Sequence, residues 1–146
     1  MSVRQNLISA CLLILSASLT TPVYARSVTD HLNRTVEVPD HIERVAVADI
    51  FPYASAACVY LGSCRKIVAM HPSSMIAARR DLLHELYPEV ADINTSVMQG
   101  AEVNLEALMG LGPDVVFVNA GNKRLIERLE AAGLPALAVS TGKWDY

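Results

Sequence analysis

Four short apolar runs recur along this chain, each separated from the next by a stretch with helical periodicity. That rhythm limits the fold more than any other feature. Val45-Ala46-Val47-Ala48, Ile67-Val68-Ala69-Met70, Val115-Val116-Phe117-Val118 and Ala136-Leu137-Ala138-Val139 carry apolar side chains at every position, with no polar alternation. A strand of that kind must be covered on both faces, as in a parallel sheet held between two helical layers. The intervening segments supply the helices. Pro52 opens one that runs through Leu61 and closes at Gly62. After the second run, Ser73 or Ser74 offers an N-cap, and Met75, Ala78, Leu82 and Leu86 fall on one helical face before Pro88. Asp92 to Gly100 reads as irregular, with a short strand near Val97. Asn104 caps the next helix, whose apolar stripe is Leu105, Leu108 and Leu111, and Gly112-Pro113 breaks it. Lys123 to Ala132 is helical with Leu125, Ile126 and Leu129 inward, and Gly133-Leu134-Pro135 stops it. The expected class is α/β, a parallel-sheet lobe with helices on both faces and right-handed crossovers.

The chain begins differently. Met1 to Asn6 is a short polar region with Arg4, and Leu7 to Leu19 is an apolar run too short to span a bilayer as a helix. Val23-Tyr24-Ala25 places small residues where a signal peptidase reads, so residues 1–25 are expected to be a signal peptide cleaved after Ala25. Ile8-Ser9-Ala10-Cys11 is not read as a lipoprotein box, because the apolar run continues past Cys11. Hydrophobic residues make up 52% of the 146-residue chain, and this leader supplies part of that share. The formal net charge is −3, and loss of Arg4 makes the remainder more acidic, which argues against nucleic acid as a partner. The product is therefore expected to be exported and soluble.

Two cysteines follow the leader, Cys58 and Cys64, six positions apart. In an oxidising compartment they can pair, or one can sit buried on a helix and the other in a loop. Neither has His or Cys partners at metal-ligand spacing nearby. Ahead of the first apolar run, V-T-D-H-L-N-R-T-V-E-V-P reads as a β-hairpin, with Asn33 where the turn needs positive φ.

In an open α/β sheet, ligands sit beyond the carboxyl ends of the strands. That rule selects four tips: Asp49 to Tyr53, His71 to Ser73, Asn119 to Asn122, and Ser140 to Trp144. They hold no nucleophile elbow, no dinucleotide or phosphate loop and no H-E-x-x-H, so no enzyme is expected and no cofactor is assigned. His31, His41, His71 and His84 are scattered, and only His71 stands at a tip. Tyr53 and Trp144 are amphipathic rings suited to a pocket wall. No arginine cluster is read at these tips. Glu106, in the first turn after Asn104, is accounted for by the helix dipole alone.

Taken in order, these pieces resemble the periplasmic-binding-protein family that serves ABC importers of iron–siderophore, haem and cobalamin. The resemblance rests on V-T-D-H-L-N-R-T-V-E-V-P followed by E-R-V-A-V, on Y-L-G-S-C-R-K-I-V-A-M, and most sharply on Gly100 followed by N-L-E-A-L-M-G-L-G-P-D-V-V-F-V. It implies a non-enzymatic carrier of two α/β lobes joined by one long helix, with a metal chelate in the cleft between lobe tips. It further implies cleft positions at Tyr53, His71, Met98, Gln99, Asn119 and Trp144, with Tyr and His suited to axial ligation if the cargo is haem. Glu106 matches the family's permease-docking glutamate. The expected partners are thus a siderophore-, haem- or cobalamin-class ligand and an ABC permease, and the expected location is the periplasm. Simpler metal or oxyanion ligands are also carried by relatives. Trp144-Asp145-Tyr146 falls about where the family's connecting helix begins. Residues 26–146 are therefore expected to form the N-terminal lobe, with the second lobe absent. A different class of function stays open beside this one, an interaction module that docks on a permease without carrying ligand.

Overall fold

Alternation within the apolar runs decides how the layers stack. The computed structural model describes residues 25–99 and 102–142. The expectations for the leader, the Gln99 side chain, Gly100 and Trp144 therefore lie outside the described residues. A hairpin comes first, β1 (Ala25–Thr29) against β2 (Thr35–Pro39), turned through Asn33 at φ 57°. The central sheet follows the four apolar runs: β3 (Val45–Val47), β4 (Ile67–Ala69), β7 (Val115–Asn119) and β8 (Ala136–Val139). Its strands are parallel and ordered β4-β3-β7-β8. A small hairpin, β5 (Met98–Gln99) with β6 (Glu102–Val103), stands apart from it.

Successive residues of a strand point to opposite faces, and here the two faces differ in size. Val45, Val47, Ile67, Val115 and Leu137 point to one side. There they meet α1 (Tyr53–Leu61) and α2 (Pro72–Arg80) through Ala54, Cys58, Met75 and Ala78. Ala46, Ala48, Ala136 and Ala138 point to the other, beside Val116 and Val118. There α4 (Leu105–Gly110) and α5 (Lys123–Ala131) bring Leu108, Leu125, Ile126 and Leu129 onto the sheet, all buried. The helices thus cover both faces, as the apolar strands require.

Two local expectations are corrected. The helix read from Ser73 or Ser74 to Leu86 breaks at Asp81 (φ −104°, ψ 172°) into α2 and a short α3 (Leu82–Leu86). The break rotates the second piece, so Leu83 is buried while Leu82 and Leu86 stay exposed. The N-cap of α2 is also neither serine. Pro72 takes the first helical position, which forces the residue before it into the extended region. His71, at φ −64° and ψ 140°, is therefore the cap.

After α1, Gly62 takes the left-handed conformation (φ 65°), and Cys64 is bonded through sulfur to Cys58 with Cα atoms 4.5 Å apart. Glu89, in a 3-10 turn spanning Pro88–Asp92, accepts from the Ser63 hydroxyl at 3.0 Å and the Cys64 amide at 3.3 Å. Among the described residues no helix is long and apolar enough to cross a membrane.

Candidate functional site at the carboxyl edge of the sheet

Because all four central strands are parallel, their carboxyl ends share one edge. In sheet order the tips are His71, Asp49, Asn119 to Asn122, and Ser140-Thr141. With neighbouring strands ~4.8 Å apart, the outer tips lie on the order of 15 Å from each other. Helices between parallel strands run back antiparallel to them, so each begins at this same edge. The start of α4, with Asn104 and Glu106, is therefore on the edge too. Asn104 Oδ1 accepts from the Ala107 amide at 3.1 Å, and Glu106 is exposed in the first turn.

Asp49 ties the two middle tips together. One carboxylate oxygen accepts from the Asn119 amide at 2.7 Å, and the other accepts from Asn122 Nδ2 at 2.7 Å. Asn119 Oδ1 in turn accepts from the Gly121 amide at 2.8 Å, and Asn122 Oδ1 caps α5 through the Leu125 amide at 3.2 Å. Asn119 thus forms a turn and keeps its amide nitrogen as the donor it can offer. Asp49 belongs to a tip the sequence marked, yet its pinning role depends on a partner 70 residues away.

Tyr53 begins α1 directly after the cis Phe51–Pro52 bond. Its ring packs on Phe117 with centroids 5.0 Å apart and planes tilted by 48°. Burial pushes the Tyr53 phenol above its ordinary value of 10.0, so the hydroxyl keeps its proton. The ring also lines a groove of about 620 Å³ shared with His31, Phe51, Phe117, Val139 and Thr141. His71 is half-buried, and its Nδ1 accepts from the Ser73 amide at 3.0 Å. Met98, expected at the cleft, is only 9% exposed and packs in the core with Val103, Leu108 and Val118. It shows little surface to a ligand, because β5 turns it inward.

Three residues that the sequence did not mark as site residues join this edge. His31 comes from the hairpin turn, and its Nδ1 accepts from the Ser140 amide at 2.9 Å. Arg124 and Arg128 of α5 line a cavity of about 250 Å³ with Asp49, Asn122 and Glu102. The sequence shows no arginine cluster at the tips themselves, and Arg124 lies two residues past the tip, one turn from Arg128 on the same helix face. Its spacing from Asn122 was the available signal. Among the described residues, no group of three or more His, Cys, Asp or Glu is placed to hold a metal ion.

An open parallel sheet with polar tips on one edge, and helix starts beside them, is an arrangement in which α/β proteins commonly bind ligands. The chain is similar to periplasmic solute-binding proteins, and it spans between 36% and 37% of the length of the relatives it matches. It is 33% identical over 141 residues to the molybdate-binding protein MolA of Haemophilus influenzae, covering 93% of this chain and 37% of MolA. The molybdate-bound MolA structure superposes with a TM-score of 0.66 at 30% identity, over 81% of this chain and 36% of that one. A periplasmic solute-binding protein of Veillonella parvula gives a TM-score of 0.77 at 28% identity, over 82% of this chain and 36% of that one. The heme-binding protein HmuT gives 0.60 at 26%, over 86% of this chain and 37% of that one. No protein-family model matches the chain. Each of these relatives is a binding protein.

Proposed function

We propose that this chain is the N-terminal lobe of the solute-binding component of an ABC import system, exported to the periplasm after cleavage behind Ala25. The cargo is an iron–siderophore or related metal-containing solute. The observation that carries the reading is the alignment of polar tips along one sheet edge in a chain related to binding proteins for molybdate and heme. Tyr53, His71 and Asn119 form the near wall of the cleft on this reading. Met98 backs it from the core. Glu106, exposed at the same edge, docks to the permease.

Trp144 is the one tryptophan of the chain, so its fluorescence reports on a single place. Titration of the purified protein with sodium molybdate, hemin, a ferric siderophore and cobalamin should quench it with at least one of them. No change with any of the four would sink the carrier reading. The exposure of Glu106 favours a second reading, an interaction module without cargo. In that case Glu106→Ala abolishes capture of the permease while the wild type binds none of the four.

A further inference from the structure

The sheet face that carries α1 and α2 is left open along one groove. Two cavities, of about 680 Å³ and about 620 Å³, meet there, since Tyr53, Ala56 and Phe117 line both. The floor is the sheet itself, through Val115, Phe117, Leu137 and Val139. Along the second cavity α1 forms one wall and the first hairpin forms the other. α2 contributes nothing to the lining of either cavity. A parallel sheet of apolar strands calls for cover on both faces, yet Phe51 at the rim of this groove is 56% exposed. The described chain leaves the sheet at the same place, because Thr141 lines the second cavity and Gly142 follows it.

The next four residues of the sequence are Lys143-Trp144-Asp145-Tyr146. Side chains of an extended chain point alternately to opposite sides. Both rings of this segment therefore fall on one side and both charges on the other, so the rings can enter a groove while the charges stay in water. Three residues reach about 10 Å, roughly twice the spacing of neighbouring strands. That carries Trp144 from Thr141 back over the rim, and Tyr146 about 7 Å further along. The groove already holds rings for them to meet, with Tyr53 on Phe117 at 5.0 Å between centroids and Phe51 beside it. We infer that residues 143–146 fold back into the groove, with Trp144 against Phe51 and Tyr53 and Tyr146 further along toward Phe117. The lobe thus covers part of its open sheet face with its own chain, whether or not it carries a solute.

Indole fluorescence of the full chain tests the contact, with no solute added. Emission from Trp144 should lie to the blue of N-acetyltryptophanamide, resist quenching by acrylamide and stay unchanged on dilution. Ala56 is exposed on α1 and lines both cavities, so Ala56→Glu puts a carboxylate into the groove without removing a core side chain. Glutamate is also a strong helix former, which keeps α1 intact. In that variant the emission should shift to the red, and acrylamide quenching should rise to the level of the free amide. Val59→Glu, at an exposed position of the same helix that lines neither cavity, should leave both as in the wild type. A wild-type emission equal to that of the free amide overturns the inference. So does an Ala56→Glu spectrum identical to the wild type, or a Val59→Glu spectrum that shifts as far. A blue emission that moves to the red on dilution, as dimers separate in sedimentation, overturns it too and gives the groove to a second copy. Titration with the four solutes named above bears on the carrier reading alone.

Discussion

Asp30 shows how one side chain can hold three elements. It is buried at the end of the first hairpin strand, with its side chain 1% exposed. Its carboxylate accepts from the amides of Leu32 at 2.9 Å, Arg34 at 3.0 Å and Ala138 at 3.2 Å, and from the Arg34 guanidinium. Arg34 reaches on to Glu130 at 2.5 Å and to the Ala136 carbonyl at 2.9 Å. Burial alone would raise the Asp30 carboxyl, but Arg34 and the three amides outweigh it and hold the group below its ordinary value of 3.8. A lowered native value stabilises the fold at every pH above the unfolded one, and that share drains away as pH falls below 3.8 toward the native value. Urea unfolding followed by circular dichroism should show this acid loss, and Asp30→Ala should lack it. At neutral pH the same variant should be less stable by about 3 kcal/mol, since it leaves Arg34 and three amides without their acceptor. Asn33 was legible in the sequence because a turn residue declares itself locally. Asp30 was not, because its partner Ala138 lies 108 positions away.

Among the elements, the apolar runs were the most legible part. All four became strands, and Leu125, Ile126 and Leu129 became the buried face of α5, because a run or stripe of that length carries its own evidence. The break at Asp81 was not legible, since Leu82 and Leu86 continue a helical spacing that only tertiary packing interrupts. His71 as cap could have been read from Pro72 alone. Along the carboxyl edge of the sheet, Tyr53, His71 and Asn119 follow from strand ends. Arg124 could have been read from its spacing to Asn122, whereas His31 reaches the edge only through packing that the order of residues does not disclose. The crosslink between Cys58 and Cys64 fastens the end of α1 to the start of β4, and both sulfurs are fully buried. Its loop is short, so reduction should lower stability by only about 2 kcal/mol in a chain-entropy account. Mass spectrometry of an unreduced digest should recover residues 58 and 64 in one linked peptide. Cys58→Ser with Cys64→Ser should reproduce the effect of reduction.

At the scale of the whole molecule, a four-stranded parallel sheet has two outer strands, and each leaves a row of backbone groups that another chain's strand could use. Here both rows are met by segments that are not strands. Along β8, Ala136 receives Arg34, Ala138 is held on both sides by Asp30 and the His31 amide, and Ser140 donates to His31. Along β4, Asn94 accepts from the Met70 amide at 3.0 Å and donates to the Val68 carbonyl at 3.2 Å. The hairpin turn is therefore a stopper against strand addition as well as a fastening. Asp30→Ala loosens it where Ala138 would become a free docking rung. That variant should form thioflavin-positive fibrils at concentrations where the parent chain stays clear, and a clear solution of both would show that the outer row is guarded by something other than the turn. The residue that steadies the lobe would then also be the one that keeps copies of the chain from growing into one another.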